Sequence, residues 1–172
     1  MKKLIAFDLE TTGLYPEKGD MIIEIAAVPI IDDEIITNNV FESLVNPDKK
    51  IPPHITSINH ITDEMVNEAK TIEEVLPEFL DYIQDYPLVA HNAPFDVGFL
   101  RYFIKTLGLI DIKNQIIDTL ALSKELFTQK TYHNLDAVLN RLGIPQKCKE
   151  RHRALEDAYL TASALIKMRK ML

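Results

Sequence analysis

The chain has 172 residues, 47% of them hydrophobic and 26% charged, an ordinary globular composition that is sufficient for one domain with a substantial core. Its formal net charge of −7 argues against a protein that holds nucleic acid through a broad basic surface, and its single cysteine, Cys148, excludes an internal disulfide framework. Because it has neither an apolar run near the ~20 residues of a membrane span nor a secretory signal, we expect a cytoplasmic protein without a membrane partner.

The first part of the chain is predicted to form strands. Apolar and β-branched residues dominate three segments, and Asp32-Asp33 is a turn signal that predicts a hairpin between the second and the third. An irregular segment with short helical pieces follows Pro52-Pro53. The three predicted strands cover residues 3–10, 21–31 and 34–45.

The second part alternates helices with short strands. Thr71 to Glu74 resembles a capping box, and Pro77 inside the following helix predicts a later start or a kink. Asp118 is predicted to cap the helix after the last strand. A strand meander followed by this alternation indicates an α/β domain with a mixed sheet. The predicted strands cover 87–91 and 115–117, and the predicted helices begin near residues 71, 94, 118, 134 and 154.

The first strand contains two unexpected carboxylates. In the stretch IAFDLETTGL, Asp8 and Glu10 interrupt an apolar run, and their spacing places both side chains on the same face. Two like charges at this spacing repel each other, and burying either one without a partner is costly. Either the strand has a solvated acidic face at an exposed end, or the two carboxylates share a multivalent cation.

Two helices show the same anomaly. Asp96 precedes Phe99 and Leu100 by three and four residues, so it lies on the apolar stripe of its helix. The helix dipole explains its position in the first turn but not its face. Asp157 lies three residues before Leu160 on another apolar face, where a salt bridge to an unidentified Arg or Lys is the alternative explanation.

These four carboxylates offer only oxygen ligands, which suit Mg²⁺ or Mn²⁺ better than zinc or copper. Two such ions about 4 Å apart can activate a water molecule and stabilise the leaving oxygen of a phosphodiester. We therefore expect two divalent cations, Mg²⁺ or Mn²⁺, as cofactors. The predicted ligands are Asp8, Glu10, Asp96 and Asp157.

Such chemistry also needs a general base. His152 comes five residues before Asp157, which predicts a place on the approach to the last helix, from where it can reach over the metal site. The other four histidines have simpler explanations. His54, His60 and His133 are predicted to be surface or capping residues, and His91 is predicted to be a packed, hydrogen-bonded residue at the end of a strand.

Three segments resemble, in order, the three motifs of the DEDD 3′–5′ exonucleases: FDLETTGL, HNAPFDVGFL and HRALEDA. The third has the His-x₄-Asp spacing of the DEDDh branch, and Arg153 excludes the Tyr-x₃-Asp variant. The likeness extends from residue 3 to the C-terminus and includes IIDTLALSKEL and HNLDAVLNRLGI. It is strongest to the proofreading epsilon subunit of bacterial DNA polymerase III and its stand-alone homologues.

The resemblance implies a ribonuclease H-like fold, with a mixed five-stranded sheet flanked by helices, as a single exonuclease domain over residues 1–172. It implies that Asp8, Glu10 and Asp157 bind the metals, with Asp96 completing the site directly or through water, and that His152 is the catalytic base. Further residues match substrate-contacting positions: Thr11 at the terminal nucleotide, and Asn92 and Phe95 beside the second motif. Core packing is an equal alternative for Phe95, and helix capping is the better explanation for Asp118.

The implied activity is removal of nucleotides from the 3′ end of single-stranded or frayed DNA, with release of nucleoside 5′-monophosphates. The three motifs do not distinguish the sugar, so an exoribonuclease similar to oligoribonuclease or ribonuclease T is the alternative. A non-catalytic module of a polymerase assembly is a second alternative, which the full set of ligands disfavours. The sequence after the third motif is short, so we do not expect the tail by which epsilon reaches its polymerase, and a polymerase partner is left open.

Overall fold

The computed structural model describes residues 3–146 and 152–172. The single cysteine, Cys148, lies outside these ranges. Within them, no helix is both long enough and apolar enough to cross a membrane. The described strands are β1 (Lys3–Thr11), β2 (Ile22–Ile31), β3 (Glu34–Ile35), β4 (Phe41–Leu44), β5 (Leu88–Ala90) and β6 (Ile116–Asp118). The described α-helices are α1 (Pro53–Asn59), α2 (Asp63–Val66), α3 (Ile72–Ile83), α4 (Ala93–Thr106), α5 (Thr119–Leu126), α6 (Leu135–Arg141) and α7 (Ala154–Arg169).

The strands form one mixed sheet, as the sequence pattern predicted, in the order β3-β2-β1-β5-β6. β1 pairs antiparallel with β2 and parallel with β5, which in turn is parallel to β6. The predicted single strand over 34–45 is wrong, because Thr37-Asn38-Asn39 favour a bend that divides it. β3 and β4 pair with different stretches of β2, so six strands occupy five positions across the sheet.

Helices cover both faces of β1. Phe7 and Leu9 belong to a core cluster with Phe79 of α3 and Phe99 of α4. On the opposite face, Leu4 and Ala6 of β1 pack with three buried side chains of α7, namely Ala158, Ala162 and Leu165. Alanines on both α7 and the sheet allow close approach. Because side chains alternate along a strand, Asp8 and Glu10 are directed to the α7 side.

The parallel strands bring their carboxyl ends to one edge of the sheet. β1 ends at Thr11, α4 begins three residues after β5, and Asp118 ends β6. This edge is where ligand sites occur in α/β sheets. Helix α3 starts at Ile72, so of the two predicted effects of Pro77 the later start is wrong, and the kink stays a prediction. Its capping box fixes the first turn despite Pro77, because the Thr71 backbone N–H donates to the Glu74 side chain at 2.9 Å.

Candidate active site

Three of the predicted carboxylates meet between β1 and α7. Asp8 and Glu10 from β1 and Asp157 from the first turn of α7 each offer an oxygen, and these oxygens lie within 4.8 Å of one another. Asp157 is 7% exposed, and the two β1 residues are partly buried. We refer to Asp8, Glu10 and Asp157 as the three-carboxylate group. Its donors are oxygens only, the set that Mg²⁺, Mn²⁺ and Ca²⁺ prefer.

Asp96 lies beside this group but is not one of its members. Its side chain is 3% exposed, and its Oδ1 accepts a hydrogen bond from the Leu9 backbone N–H at 3.2 Å. The first turn of α4 is thereby joined to β1 between the two carboxylates of that strand. A role for Asp96 as a ligand, directly or through water, stays a prediction.

Burial and mutual repulsion make these carboxyls hard to ionise. Burial, followed by the charges of Asp96, Glu10 and Asp157, raises the pKa of Asp8 well above its ordinary value. Burial raises the pKa of Glu10 from 4.5 to about 8 and the pKa of Asp96 from 3.8 to about 8. A divalent cation would offset the repulsion, so the residues present fit such an ion.

An asparagine that sequence reasoning missed holds one of the carboxylates. Asn59, at the end of α1, is 2% exposed, and its Nδ2 donates to Glu10 Oε2 at 3.2 Å. Its own Oδ1 accepts from the Ile61 backbone N–H at 3.0 Å, which fixes the side-chain amide. The hydrogen bond from Asn59 lowers the pKa of Glu10, but burial has the larger effect and raises it. Nothing in the local sequence pattern distinguishes Asn59 from a helix-end asparagine.

An ion pair that sequence reasoning also missed lies next to the three-carboxylate group. Glu24 of β2 is directly opposite Glu10 in the β1–β2 register and is fully buried. The Arg153 guanidinium donates to both of its carboxylate oxygens. Glu24 interrupts the apolar stretch MIIEIAAVPII just as Asp8 interrupts its own strand, so the signal was present in the sequence.

His152 lies outside α7, two residues before its first residue, as predicted from the spacing. It is exposed, and its backbone is left-handed, with φ of 68°. The prediction of a packed, hydrogen-bonded His91 is confirmed by contacts with Thr119 Oγ1 and the His133 carbonyl, each at 2.9 Å. The surface prediction is wrong for His133, which is 9% exposed because its ring is held between Ser123 and the Lys130 carbonyl. The other two, His54 and His60, are exposed.

The loop after β1 presents Thr11 at the edge of the site. Thr11 is 8% exposed, and its hydroxyl donates to the Gly13 carbonyl at 2.7 Å. A Cβ on Gly13 would lie 2.3 Å from Asp20 Oδ2, so only glycine allows this close approach. Asp20 also accepts from the Tyr15 backbone N–H at 2.9 Å. The Asp20 carboxylate, which sequence reasoning missed, therefore organises the turn that ends the first motif.

The structure places the other two predicted substrate residues at the start of α4. Asn92 is exposed and left-handed, with φ of 66°, and its backbone N–H donates to Asp118 Oδ1 at 2.9 Å. Asp118 also accepts from the Leu120 N–H at 3.0 Å, so its predicted capping role is confirmed. Phe95 is partly buried, with its ring centroid 5.1 Å from that of Phe99. It also lines a groove of about 390 Å³. Phe95 therefore packs against Phe99 and is also accessible from the surface.

The sheet order and the oxygen-donor group at its carboxyl edge define an α/β domain with a candidate cation site. Residues 5–165 match the family model described as Exonuclease, and the chain belongs to this exonuclease family. The family predicted from the three motifs is therefore confirmed.

Curated relatives agree with this assignment. The chain is 42% identical over 164 residues to a DNA polymerase III subunit epsilon-like protein of Rhodobacter capsulatus, and 42% identical over 168 residues to a PolC-type DNA polymerase III of Thermotoga petrophila. These alignments cover 95% and 98% of the chain but only 23% and 12% of the relatives. The chain therefore spans less than a quarter of the length of either relative.

A solved structure matches over nearly the whole of both chains. It is that of exonuclease X in complex with 5′ overhanging duplex DNA, which is 31% identical, with a TM-score of 0.76 over 99% of this chain and 92% of that one. The predicted ribonuclease H-like α/β fold is in agreement with the sheet order and this similarity.

Proposed function

We propose that the chain is a cation-dependent 3′–5′ exonuclease that hydrolyses the terminal phosphodiester of single-stranded or frayed DNA and releases nucleoside 5′-monophosphates. The observation that carries this proposal is the meeting of Asp8, Glu10 and Asp157 in one oxygen-donor group. Membership of the exonuclease family supports the reaction class. A non-catalytic module would have no need for three carboxylates held in a costly arrangement.

The proposed cofactors are two divalent cations, Mg²⁺ or Mn²⁺. The three-carboxylate group would hold them, with Asp96 taking part directly or through water. When bound, such ions polarise a water molecule and offset the charge that develops on the phosphate. The raised pKa values of the carboxyls support this role, because the group needs positive charge to be fully ionised at neutral pH.

The remaining polar residues then have defined tasks. An imidazole nitrogen of His152 accepts the proton of the attacking water, which requires the neutral ring. Asn59 fixes the rotamer of Glu10 through its hydrogen bond, and Asp96 fixes the β1 backbone at Leu9. A site whose donors are held in this way needs little rearrangement during the reaction.

The groove beside α4 is the proposed path of the strand. Its lining combines the Phe95 ring and the exposed Leu14 with the cationic side chains of Arg101 and Lys105, which outnumber the one acidic side chain in the lining, that of Glu17. Aromatic stacking with local positive charge is a common means of holding single strands without sequence preference. Thr11 and Asn92, at the ends of β1 and β5, are the proposed contacts to the terminal nucleotide.

The relatives support a proposal for the substrate sugar and another for the partner. Both curated relatives carry DNA polymerase III names, and the matched exonuclease X was solved with DNA, which favours DNA over RNA. The same names support association with a DNA polymerase and a cytoplasmic location as proposals for this chain.

The test compares single-stranded DNA and RNA of the same sequence, incubated with the protein and Mn²⁺, with nucleotide products separated by chromatography. We expect nucleoside 5′-monophosphates from DNA at the higher kcat/KM. Asp8→Asn should release none, which controls for contaminating nucleases. A higher kcat/KM on RNA would replace the DNA proposal with the exoribonuclease alternative, and no product from either strand would refute hydrolysis.

A further inference from the structure

Neither Glu24 nor Arg153, which form an ion pair, has a role in the proposed metal binding or in the proposed substrate contacts. Glu24 is completely buried on the face of β2 that meets α7. Arg153 Nε lies 3.1 Å from Oε1 and 3.0 Å from Oε2 of this carboxylate, and Arg153 Nη2 also donates to Oε1. The Ala154 backbone N–H donates to Oε2 at 2.9 Å. One carboxylate thus holds two consecutive residues.

These two residues are the start of α7. Arg153 is the N-cap residue, and its side chain makes no capping bond to its own helix. Glu24, from a strand far away in sequence, accepts the orphan N–H of Ala154 instead. The first turn of α7 is therefore fixed to the sheet from outside the helix.

His152 is the residue immediately before this anchor. Its φ of 68° is a left-handed conformation, which is uncommon outside glycine although histidine adopts it more readily than most residues. Its ring is exposed, so packing of the imidazole does not impose it. The Arg153 guanidinium and the Ala154 N–H, both bound to Glu24, fix the backbone on the C-terminal side of His152.

A contribution to folding stability does not by itself explain why the Glu24–Arg153 pair is buried here. Burying a carboxylate and a guanidinium costs desolvation energy, and apolar residues of similar volume are often at least as stabilising. The other residues on this face of β2 are apolar, so an apolar residue at position 24 would continue the pattern of its own strand, although Glu10 lies opposite it on β1. A directional, bidentate contact instead sets an angle and a position, which apolar packing does not do.

We infer that the Glu24–Arg153 pair positions His152 over the three-carboxylate group, so that Arg153 is a positioning residue for proton transfer. This inference rests on the proposed exonuclease function. A direct contact between Arg153 and substrate phosphate is a different role, and its loss would raise KM. Loss of a residue that positions the base instead lowers kcat and leaves KM and cation affinity nearly unchanged.

The test measures kcat, KM and Mn²⁺ affinity for Arg153→Ala on a single-stranded DNA substrate. We expect kcat to fall at least tenfold, with KM and the Mn²⁺ dissociation constant within about threefold of the starting protein. Arg169→Ala is the matched control, because Arg169 is at the other end of α7, pairs with Asp33, and has the same 24% side-chain exposure as Arg153. It should keep its kcat.

The decisive arm is a double-mutant cycle. If Arg153 acts through His152, adding Arg153→Ala to His152→Ala should change kcat less than twofold. An equal fall in both backgrounds, or a parallel loss of Mn²⁺ affinity, would overturn the inference in favour of a structural role. If Arg153→Ala does not fold, Arg153→Lys answers the same questions, because it keeps the charge but cannot bridge both oxygens. An inactive starting protein would refute the proposed function, whereas an active one with an unaffected Arg153→Ala would refute only the positioning role.

Discussion

Without divalent cations, the protein should become less stable as the pH rises from about 5 to about 8. The pKa of Asp8 is raised by burial, and burial also raises those of Glu10 and Asp96, to about 8 in each. In the unfolded chain the same carboxyls ionise near 4. Over this range the folded chain keeps protons that the unfolded chain has released, so the free energy of unfolding falls as the pH rises.

The size of this effect follows from the pKa difference. A difference of one pKa unit corresponds to about 1.4 kcal/mol. The rise in the pKa of Glu10 from 4.5 to about 8 therefore lowers the free energy of unfolding by about 5 kcal/mol at most. Glu10 is partly exposed, and its repulsion is shared with Asp157, Glu24 and Asp96, so we expect about 2–4 kcal/mol from Glu10 itself. For a domain of this size that lowers Tm by about 4–15 °C.

The assay is thermal unfolding followed by circular dichroism between about pH 5 and 8.5, with a chelator or with Mn²⁺. Glu10→Gln should flatten the dependence on pH, whereas Glu73→Gln, an exposed residue of α3, should not. Mn²⁺ at one hundred times its dissociation constant should restore about 2.7 kcal/mol at high pH. Stability that rises over this pH range in the chelated protein, or that Mn²⁺ leaves unchanged, would show that these carboxyls neither keep raised pKa values in the folded protein nor bind the cation.

Three further predictions concern single substitutions. His152→Ala should lower kcat about 10²–10⁴-fold while Mn²⁺ affinity, measured by calorimetry, stays near its starting value, because the ring is proposed to lie outside the cation ligands; near-native turnover across the pH range would remove it as the base. Phe95→Ala should raise KM for single strands about 5–100-fold through lost stacking, as steady-state kinetics would show, and an unchanged KM would leave Phe95 as a packing residue. Gly13→Ala should cost about 1–3 kcal/mol in urea unfolding, because the new Cβ meets the Asp20 carboxylate, and an unchanged midpoint would mean that this turn adjusts freely.

The candidate ligands could be predicted because each breaks a local pattern. Strand alternation fixes the face of Asp8 and Glu10, and helical periodicity fixes the face of Asp96 and Asp157, so the sequence alone was enough to recognise four carboxylates on apolar faces. Periodicity does not say which faces meet. The proximity of Asp157 to the β1 pair depends on how α7 crosses the sheet.

The missed residues depend on contacts between distant segments. Glu24 shows the same pattern break as Asp8, but its meaning depends on the register that places it opposite Glu10 and on its contact with Arg153. Asn59 breaks no pattern, and its role comes only from the packing of α1 against the end of β1. Such tertiary contacts are not encoded in local periodicity.

Element boundaries failed where two local signals competed. The apolar residues of 34–45 predicted one strand, but the turn-forming segment at 37–39 divides it, and β2 pairs with both pieces along one edge. In α3 the capping box prevailed over Pro77, and the helix begins at Ile72 although Pro77, its sixth residue, has no N–H to donate to the Glu73 carbonyl. Neither difference moves the carboxyl edge of the sheet, where the candidate site lies.

Stepwise hydrolysis from a 3′ end at the three-carboxylate group is tested with a single DNA strand labelled at its 5′ end. This strand is incubated with the protein and Mn²⁺ beside a closed single-stranded circle of the same composition. We expect a descending ladder from the linear strand, an intact circle, and loss of the ladder in Asp157→Asn. Cleavage of the circle, or a ladder that Asp157→Asn retains, would contradict the claim.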